Sequence, residues 1–448
     1  MATTIQPSLF SWQEIDACSD LDRLDLVLSV LPDEHLMGLL EQNRGKGRND
    51  YPVRVIWNTL LAGIVFQHPS IASLRRELLR NAELRQRCGY DLCRGVLAVP
   101  PAHVFSRFLT SLQRHEAKIR EMFDRLVEQL RQELPDLGVN LAVDGKAIDS
   151  AGKKSDKTRD GRRDTDADWG TKSYHGQRTD GSLWSKVSHW FGYKLHLLID
   201  ADYELPVGYT VTKASVNDTT QLLPLLVDLE QHHPEIVAQA QTLSGDRGYD
   251  SQVNNQQLYD RYQIAPIIDI RHDWKDGETT RALDPGRADV IVYDQDGTLF
   301  CAPGLVTDQK MMPLAYDGFE SQRGTLKYRC PAAVYGLDCP ERERCGSSAY
   351  GRVVRVSLDH NRRRFIPVPR NSYKFKRLYK KRTAVERVNS RLDVSFGFER
   401  HFIRGQKKMQ VQVGLALIVM LAMALGRIRQ GQAKQMRSLI EPAWPRAA

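Results

Sequence analysis

Residues 139–147 read VNLAVDGKA. A short apolar run, bounded upstream by Gly138 and ending on Asp144 followed at once by Gly145, predicts a strand that carries a carboxylate at its C-terminal tip. Everything before it has another period. From Leu21 to about Leu134 apolar residues recur at helical spacing, as in VRVIWNTLLAGIVF (53–66) and VFSRFLTSLQRHEAKIREMFDRLVEQL (104–130), broken by Pro100 and Pro101. The change of period at 139 therefore separates an all-helical N-terminal domain, 1–135, from an α/β core.

The core continues downstream. Residues 151–188 are polar and glycine-rich without periodicity and read as a long surface loop. Two strand-like runs, GYKLHLLID (192–200) and LPVGYTVTK (205–213), joined by a turn around 201–204, predict a hairpin. Then follow a helix near 219–232 capped by Asn217 or Asp218, a short strand at 241–244 leading to Gly245-Asp246, a helix near 251–262 and a strand at 264–270. This first part of the core spans 136–270. Residues 271–370 are turn-rich and strand-like, with a hairpin expected around Asp296-Gly297 (293–304), and read as a β-rich insertion. Helical periodicity returns over 374–394 and 406–430, so 371–430 closes the core, and 431–448 is a basic tail.

Composition bounds the function. The chain has 448 residues, enough for two or three units, and 41% hydrophobic with 27% charged residues excludes disordered, collagen-like and coiled-coil classes. Seven cysteines are an odd count, and the N-terminus has acids where a signal peptide needs a basic flank, which points to a reducing cytoplasm. The apolar run Val413 to Gly426 is shorter than the roughly 20 residues that cross a bilayer, so it reads as a buried core helix and no membrane partner is expected.

The net charge of +9 is concentrated. Residues 362–387 hold eleven Lys/Arg against one acid, Glu386, which leaves the rest of the chain at −1. Lys374, Lys376, Arg377, Lys380 and Lys381 alternate there with Tyr373, Phe375 and Tyr379, a pattern suited to phosphates and stacked bases. A solvated helix face is the plainer reading, but such faces usually mix both signs.

Asp144 and Asp246 both follow short apolar runs, and neighbouring parallel strands would bring them to one sheet edge. Glycine at 145, 245 and 248 leaves room for a metal ion and a phosphate to approach. On a helix, Glu386 lies four residues after Arg382 and seven after Tyr379, so the three share one stripe, while Leu378, Val385, Val388 and Leu392 form the adjoining apolar one. Each acid alone is ordinary: aspartate is common after a strand, and a glutamate among cations is usually a salt-bridge partner. Together they fit a site for two divalent ions, because hard cations need several converging oxygens.

The order VDG(K), GDRGYDS and Y-x2-R-x3-E in YKKRTAVERVNSRL resembles the DDE transposases of bacterial insertion sequences. The likeness extends to YPVRVIWNTLLAGIVFQHPSIASLRREL, PPAHVFSRFLTSL and FGYKLHLLIDADYELPVGYTVTKASVNDTTQL. It implies an RNase H-like mixed-sheet core, a catalytic and metal-binding triad of Asp144, Asp246 and Glu386, and two Mg²⁺ or Mn²⁺ ions. Tyr379 and Arg382 would grip the DNA end, and the helical N-terminal domain would bind DNA or mediate assembly. The partners would be the inverted-repeat ends of the element and target DNA, bound by a homo-oligomer in the nucleoid region of a bacterial cytoplasm. Part of that family has a lysine seven residues after the glutamate; here the position is Asp393, with Arg391 nearby as a substitute.

Cys301, Cys330, Cys339 and Cys345 cluster in the insertion. Four thiols can bind structural zinc, but the spacings x8 and x5 in CPAAVYGLDCPERERC depart from the usual close pairs, so free, partly buried cysteines are the alternative. His189 and His196 flank a strand and read as packing residues. Two functions remain open: a metal-dependent strand-transfer enzyme, and an inactive DNA-binding regulator of the same ancestry. Acids inside a basic surface favour the first.

Overall fold

The computed structural model describes residues 20–45, 50–152, 164–286, 291–301, 311–339, 345, 348–398 and 401–440. Parts of the expected loop (153–163), of the hairpin end (302–304) and of the tail (441–448) lie outside them.

Among the described residues seven α-helices precede the first strand: α1 (Asp22–Val30), α2 (Glu34–Arg44), α3 (Val53–Val65), α4 (Ile71–Arg80), α5 (Ala82–Cys88), α6 (Ala102–Leu112) and α7 (Glu116–Glu133). Ser70 and Asn81 cap α4 and α5 by accepting from the backbone N–H of Ser73 and Leu84. The stripe Ile119, Met122, Phe123, Leu126, Val127 and Leu130 of α7 is buried, which is the 3.6-residue period seen in the sequence.

The main sheet contains β1 (Asn140–Asp149), β2 (Asp168–Gln177), β3 (Leu183–Asp200), β4 (Leu205–Lys213), β5 (Thr242–Gly245) and β6 (Ala265–Ile268). Its order is β2-β3-β1-β5-β6, and β4 also pairs with β3. β1 is antiparallel to β3 and parallel to β5, and β5 is parallel to β6, so the sheet is mixed. The helices α8 (Leu222–His232), α9 (Pro234–Gln239) and α10 (Gln252–Asp260) connect β4, β5 and β6.

Two expectations need correcting. Asp144 is not at the tip of its strand: β1 runs on to Asp149 because its antiparallel ladder with β3 continues to the pair Asp149–Gly192, whereas the parallel ladder with β5 stops at Val143–Gly245. The stretch expected as loop includes a hairpin, with β2 paired to residues 183–192 of β3. Residues 183–187 are exposed, so no burial imposes the alternation that reveals a strand. The local cue was Asp180-Gly181, where Gly181 takes φ 84° and Arg178 N–H donates to the Ser182 carbonyl at 2.8 Å.

The insertion forms two small sheets. One holds β7 (Thr280–Ala282), β8 (Ile291–Asp294), β9 (Leu299–Cys301) and β10 (Met312–Pro313); the other holds β11 (Ala315–Glu320), β12 (Thr325–Arg329) and β13 (Val353–Ser357), with a short helix α11 (Pro331–Tyr335) after β12. Helices α12 (Tyr373–Tyr379), α13 (Thr383–Phe396) and α14 (Gln406–Arg429) follow, and a 3-10 turn at Lys380–Arg382 divides the first two.

At 24 residues α14 is long and apolar enough to cross a membrane, but 89% of its most apolar window is buried inside the protein. It packs against α7, α1, α3 and β4. Gly414 permits this approach: a Cβ there would stand 2.6 Å from the Tyr209 hydroxyl. One continuous core therefore joins the N-terminal helices, the sheet and α14.

Candidate active site

Val143 and Gly245 are partners in the parallel ladder, so the next residues, Asp144 and Asp246, stand side by side at its end. Neighbours in register on parallel strands present their side chains to the same face. Asp144 accepts from the Gly145 N–H at 2.8 Å, and Asp246 accepts from the Gly248 N–H at 2.7 Å, capping a 3-10 turn at Arg247–Tyr249. Burial, and then the charge of Asp246, pushes the Asp144 carboxyl up to about 6, against partial relief from Lys172 and Arg382. Two acids crowded in this way form a site with unbalanced negative charge, the electrostatic condition that a divalent cation relieves.

Glu386 lies in the first turn of α13, which packs against β1. Its exposed side chain, at 54% relative accessibility, accepts from Arg382 at 2.9 Å. Arg382 in turn acts on the Asp144 charge, so one guanidinium is within electrostatic reach of both the glutamate and that aspartate. The structure thus brings Asp144 and Asp246 together and leaves Glu386 on the nearest positive charge. Among the described residues no three His, Cys, Asp or Glu side chains stand at metal-ligand spacing. The Arg382 guanidinium also lies 5.7 Å from the Tyr379 ring centre, and Tyr379 is half-buried and stacked on Phe375 at 5.7 Å with a 12° interplanar angle. Leu378, Val385, Val388 and Leu392 are buried as the stripe requires.

The basic run divides into two groups. Lys381 pairs with Asp202 at 2.6 Å, Arg387 with Glu204 at 2.7 Å, Arg362 with Asp260 at 3.0 Å, Arg363 with Asp250 at 2.7 Å, and Arg364 with Asp273. Buried Arg370 donates to the carbonyls of Ile268 and Arg364. These cations fasten the structure. Lys374, Lys376, Arg377 and Lys380 are exposed, and none of them has an acidic partner among the described residues. The free positive charge is therefore gathered on α12 and its C-terminal turn, beside the carboxylates. Asp393 binds Lys146 at 2.5 Å, and Arg391 is held by Glu204 at 2.9 Å. A lysine two residues beyond Asp144 on β1 thus meets the position where part of the resembling family carries one.

Sequence reasoning missed Asp218 and Lys172. Asn217, not Asp218, caps the turn by accepting from Thr219 N–H at 3.1 Å, which frees Asp218 to bind Lys194 at 2.9 Å. A Cβ on Gly145 would meet Asp218 Oδ1 at 2.7 Å, and one on Gly248 would meet Oδ2 at 3.3 Å. Asp218 therefore presses on glycines beside both site aspartates, which is the packing reason for glycine at 145. No spacing rule relates 218 to 144 or 246; only the fold does. Lys172 reaches Asp144 from β2, in the stretch expected to be loop.

His196 is fully buried, its Nε2 3.0 Å from Thr212 Oγ1 and its Nδ1 3.7 Å from Asp218 Oδ1. His189 stays near the surface, 3.0 Å from Thr171 Oγ1. Burial, outweighing the nearby Asp218 charge, lowers His196 to about 4 from an ordinary 6.5. The unfolded chain then binds the extra proton between those values, so stability is lost as pH falls from about 6.5 towards 4. Replacing His196 with Gln is expected to flatten that limb, which thermal midpoints of both proteins across pH 7 to 4 will show.

The family of transposase DDE domains matches residues 139–422 of this chain. A protein of Burkholderia cepacia, provisionally named as the transposase for insertion sequence element IS402, is 38% identical over 82 residues, which cover 17% of this chain and 37% of that protein. The chain therefore spans little more than a third of that relative's length.

Proposed function

The chain belongs to the transposase DDE-domain family, and on that premise we propose that it cleaves and joins DNA strands to move an insertion sequence, with a divalent pair held by Asp144, Asp246 and Glu386. The observation that carries this reading is the register that sets Asp144 beside Asp246 on two strands that both contact the 3-10 turn leading into α13. The strand order supports an RNase H-like core: β4, β3 and β1 are an antiparallel set, and β5 and β6 add in parallel to β1. The paired carboxylates suit Mg²⁺ or Mn²⁺, hard cations that take oxygen ligands. When bound, such a pair activates a water or a 3′-hydroxyl as nucleophile and stabilises the departing oxygen.

The protein's own groups do the remaining work. The exposed cations of α12 hold the duplex backbone, and Arg382 takes a phosphate at the strand to be cut, where its planar fork binds two oxygens. A phosphate on Arg382 draws the guanidinium away from Glu386 and releases that carboxylate toward the aspartate pair. DNA binding would then complete the ligand set, and Lys172 and Lys146 would lower the repulsion among the acids. Inverted-repeat ends and target DNA are the substrates of this reading, with more than one copy of the chain on the DNA.

Tyr379 acts as a binding group. Burial, and then the charge of Asp269, holds its phenol above the ordinary value, so it is no phenolate nucleophile at neutral pH. Tyr379→Phe keeps the stacked ring and is expected to retain cleavage within a few-fold, while Tyr379→Ala removes a base-stacking face of about 1–3 kcal/mol and should weaken end binding by roughly 5- to 150-fold. Cleavage rates and end-binding isotherms of the two variants check this, and a DNA adduct on Tyr379 would overturn it.

A further inference from the structure

We propose that Cys301, Cys330, Cys339 and Cys345 bind a structural zinc ion that fastens the two small sheets of the insertion to each other. All four cysteines line one small cavity of about 30 Å³. They arrive from separate places: Cys301 ends β9 in the first sheet, Cys330 follows β12 in the second, and Cys339 and Cys345 come after α11. Cys345, Cys330 and Cys339 all lie within electrostatic reach of Cys301.

The remaining wall is largely aliphatic, from Ile291, Leu314, Ala332 and Val354. A space of this size is about that of one water molecule, and besides the four cysteines only Ser348 and Arg352 bring polar side chains to its lining. A soft cation that takes four thiolates fits it. Arg352 lines the same cavity and supplies positive charge beside the net negative charge such a cluster would carry. The irregular spacing has a structural cause. Between Cys330 and Cys339 the chain makes the short helix α11, ended by Gly336 in the left-handed conformation, and this turn brings the chain back toward the cavity. Gly351 packs over Cys330, where a Cβ would stand 3.0 Å from that of the cysteine, and Cys330 N–H donates to the Arg352 carbonyl at 2.9 Å.

The insertion needs such a fastening. Its own core cluster contains ten buried residues, and cores this small are commonly supplemented by a metal or disulfides. No closed ligand shell stands among the described residues, so binding requires the cysteine side chains to turn toward one point.

Metal analysis of the full chain, purified from zinc-supplemented medium, tests the assignment independently of any reaction on DNA. The expected result is about one zinc per chain in the wild type and in Cys93→Ser, an exposed cysteine away from the cluster, and at least about a tenfold lower content in Cys330→Ser. Should Cys330→Ser fail to fold, cobalt added to the metal-stripped wild type is expected to give thiolate charge-transfer absorption and tetrahedral bands. Wild-type protein without zinc, zinc unchanged in Cys330→Ser, a cobalt spectrum lacking the thiolate band, or a thiol count showing paired cysteines would each overturn the proposal.

Discussion

Asp144→Asn is expected to abolish strand cleavage and, in a chelating buffer at pH 7, to raise thermal stability. Both effects come from the same carboxylate. Its ordinary ionisation lies near 3.8 and the folded site pushes it up to about 6, by burial first and by Asp246 second. Above pH 6 the ionised side chain therefore costs the folded state about 1–3 kcal/mol, at 1.36 kcal/mol per pKa unit. Asparagine removes that cost, so the gain is full above pH 6 and fades as pH falls from 6 toward 4, where the wild-type acid is neutral as well. The same change removes a ligand from the cation pair, and the rate of cleavage should fall on the order of 10³-fold or more. DNA affinity should hold, because it rests on α12. Thermal midpoints with and without Mg²⁺, set beside cleavage rates, check the result: wild type should gain stability from Mg²⁺ and the variant should not. An Asn variant that cleaves normally would remove Asp144 from the chemistry.

Replacing Lys374, Lys376, Arg377 and Lys380 together with alanine is expected to weaken DNA binding irrespective of sequence and to flatten its salt dependence. Each phosphate contact to duplex contributes about 0.9 to the slope of log affinity against log salt, so four lost contacts lower it by about 3.6. The structure sharpens this set. Lys381 belonged to the same group on sequence grounds, but its ammonium is bound to Asp202. Lys381→Ala is therefore expected to shift the slope by less than any of the four exposed residues. Titrations between low and physiological salt measure both, and an unchanged slope in the fourfold variant would show that α12 is only a solvated face.

What could be read from the sequence was what local pattern encodes. The α7 stripe follows a fixed helical period and the β3–β4 hairpin follows from two strand-like runs about a short turn, whereas the single helix read across Tyr379, Arg382 and Glu386 is divided by a 3-10 turn at Lys380–Arg382. The β2–β3 hairpin did not show itself, since residues 183–187 face solvent and carry no alternation. Asp144 read as a strand end because the apolar run stops there, yet the strand continues on hydrogen bonds to β3, which polar residues make as well as apolar ones. Asp218 and Lys172 join the site only through pairings across the sheet. Charge counting overstated the basic surface: Arg362, Arg363, Arg364, Arg370, Lys381 and Arg387 are held by acids or carbonyls distant in the sequence. A count along the chain cannot see those partners.

Asp144, Asp246 and Glu386 are proposed to act together, through divalent ions, on DNA. The most direct measurement is cleavage of a duplex carrying the ends of the element by wild type and Glu386→Ala, with Mg²⁺ or with chelator, at protein concentrations that saturate the DNA in both. Free 3′-hydroxyl ends are expected from the wild type only when Mg²⁺ is present, and none from Glu386→Ala although it remains bound. Equal cleavage in chelator, or by Glu386→Ala, would contradict it.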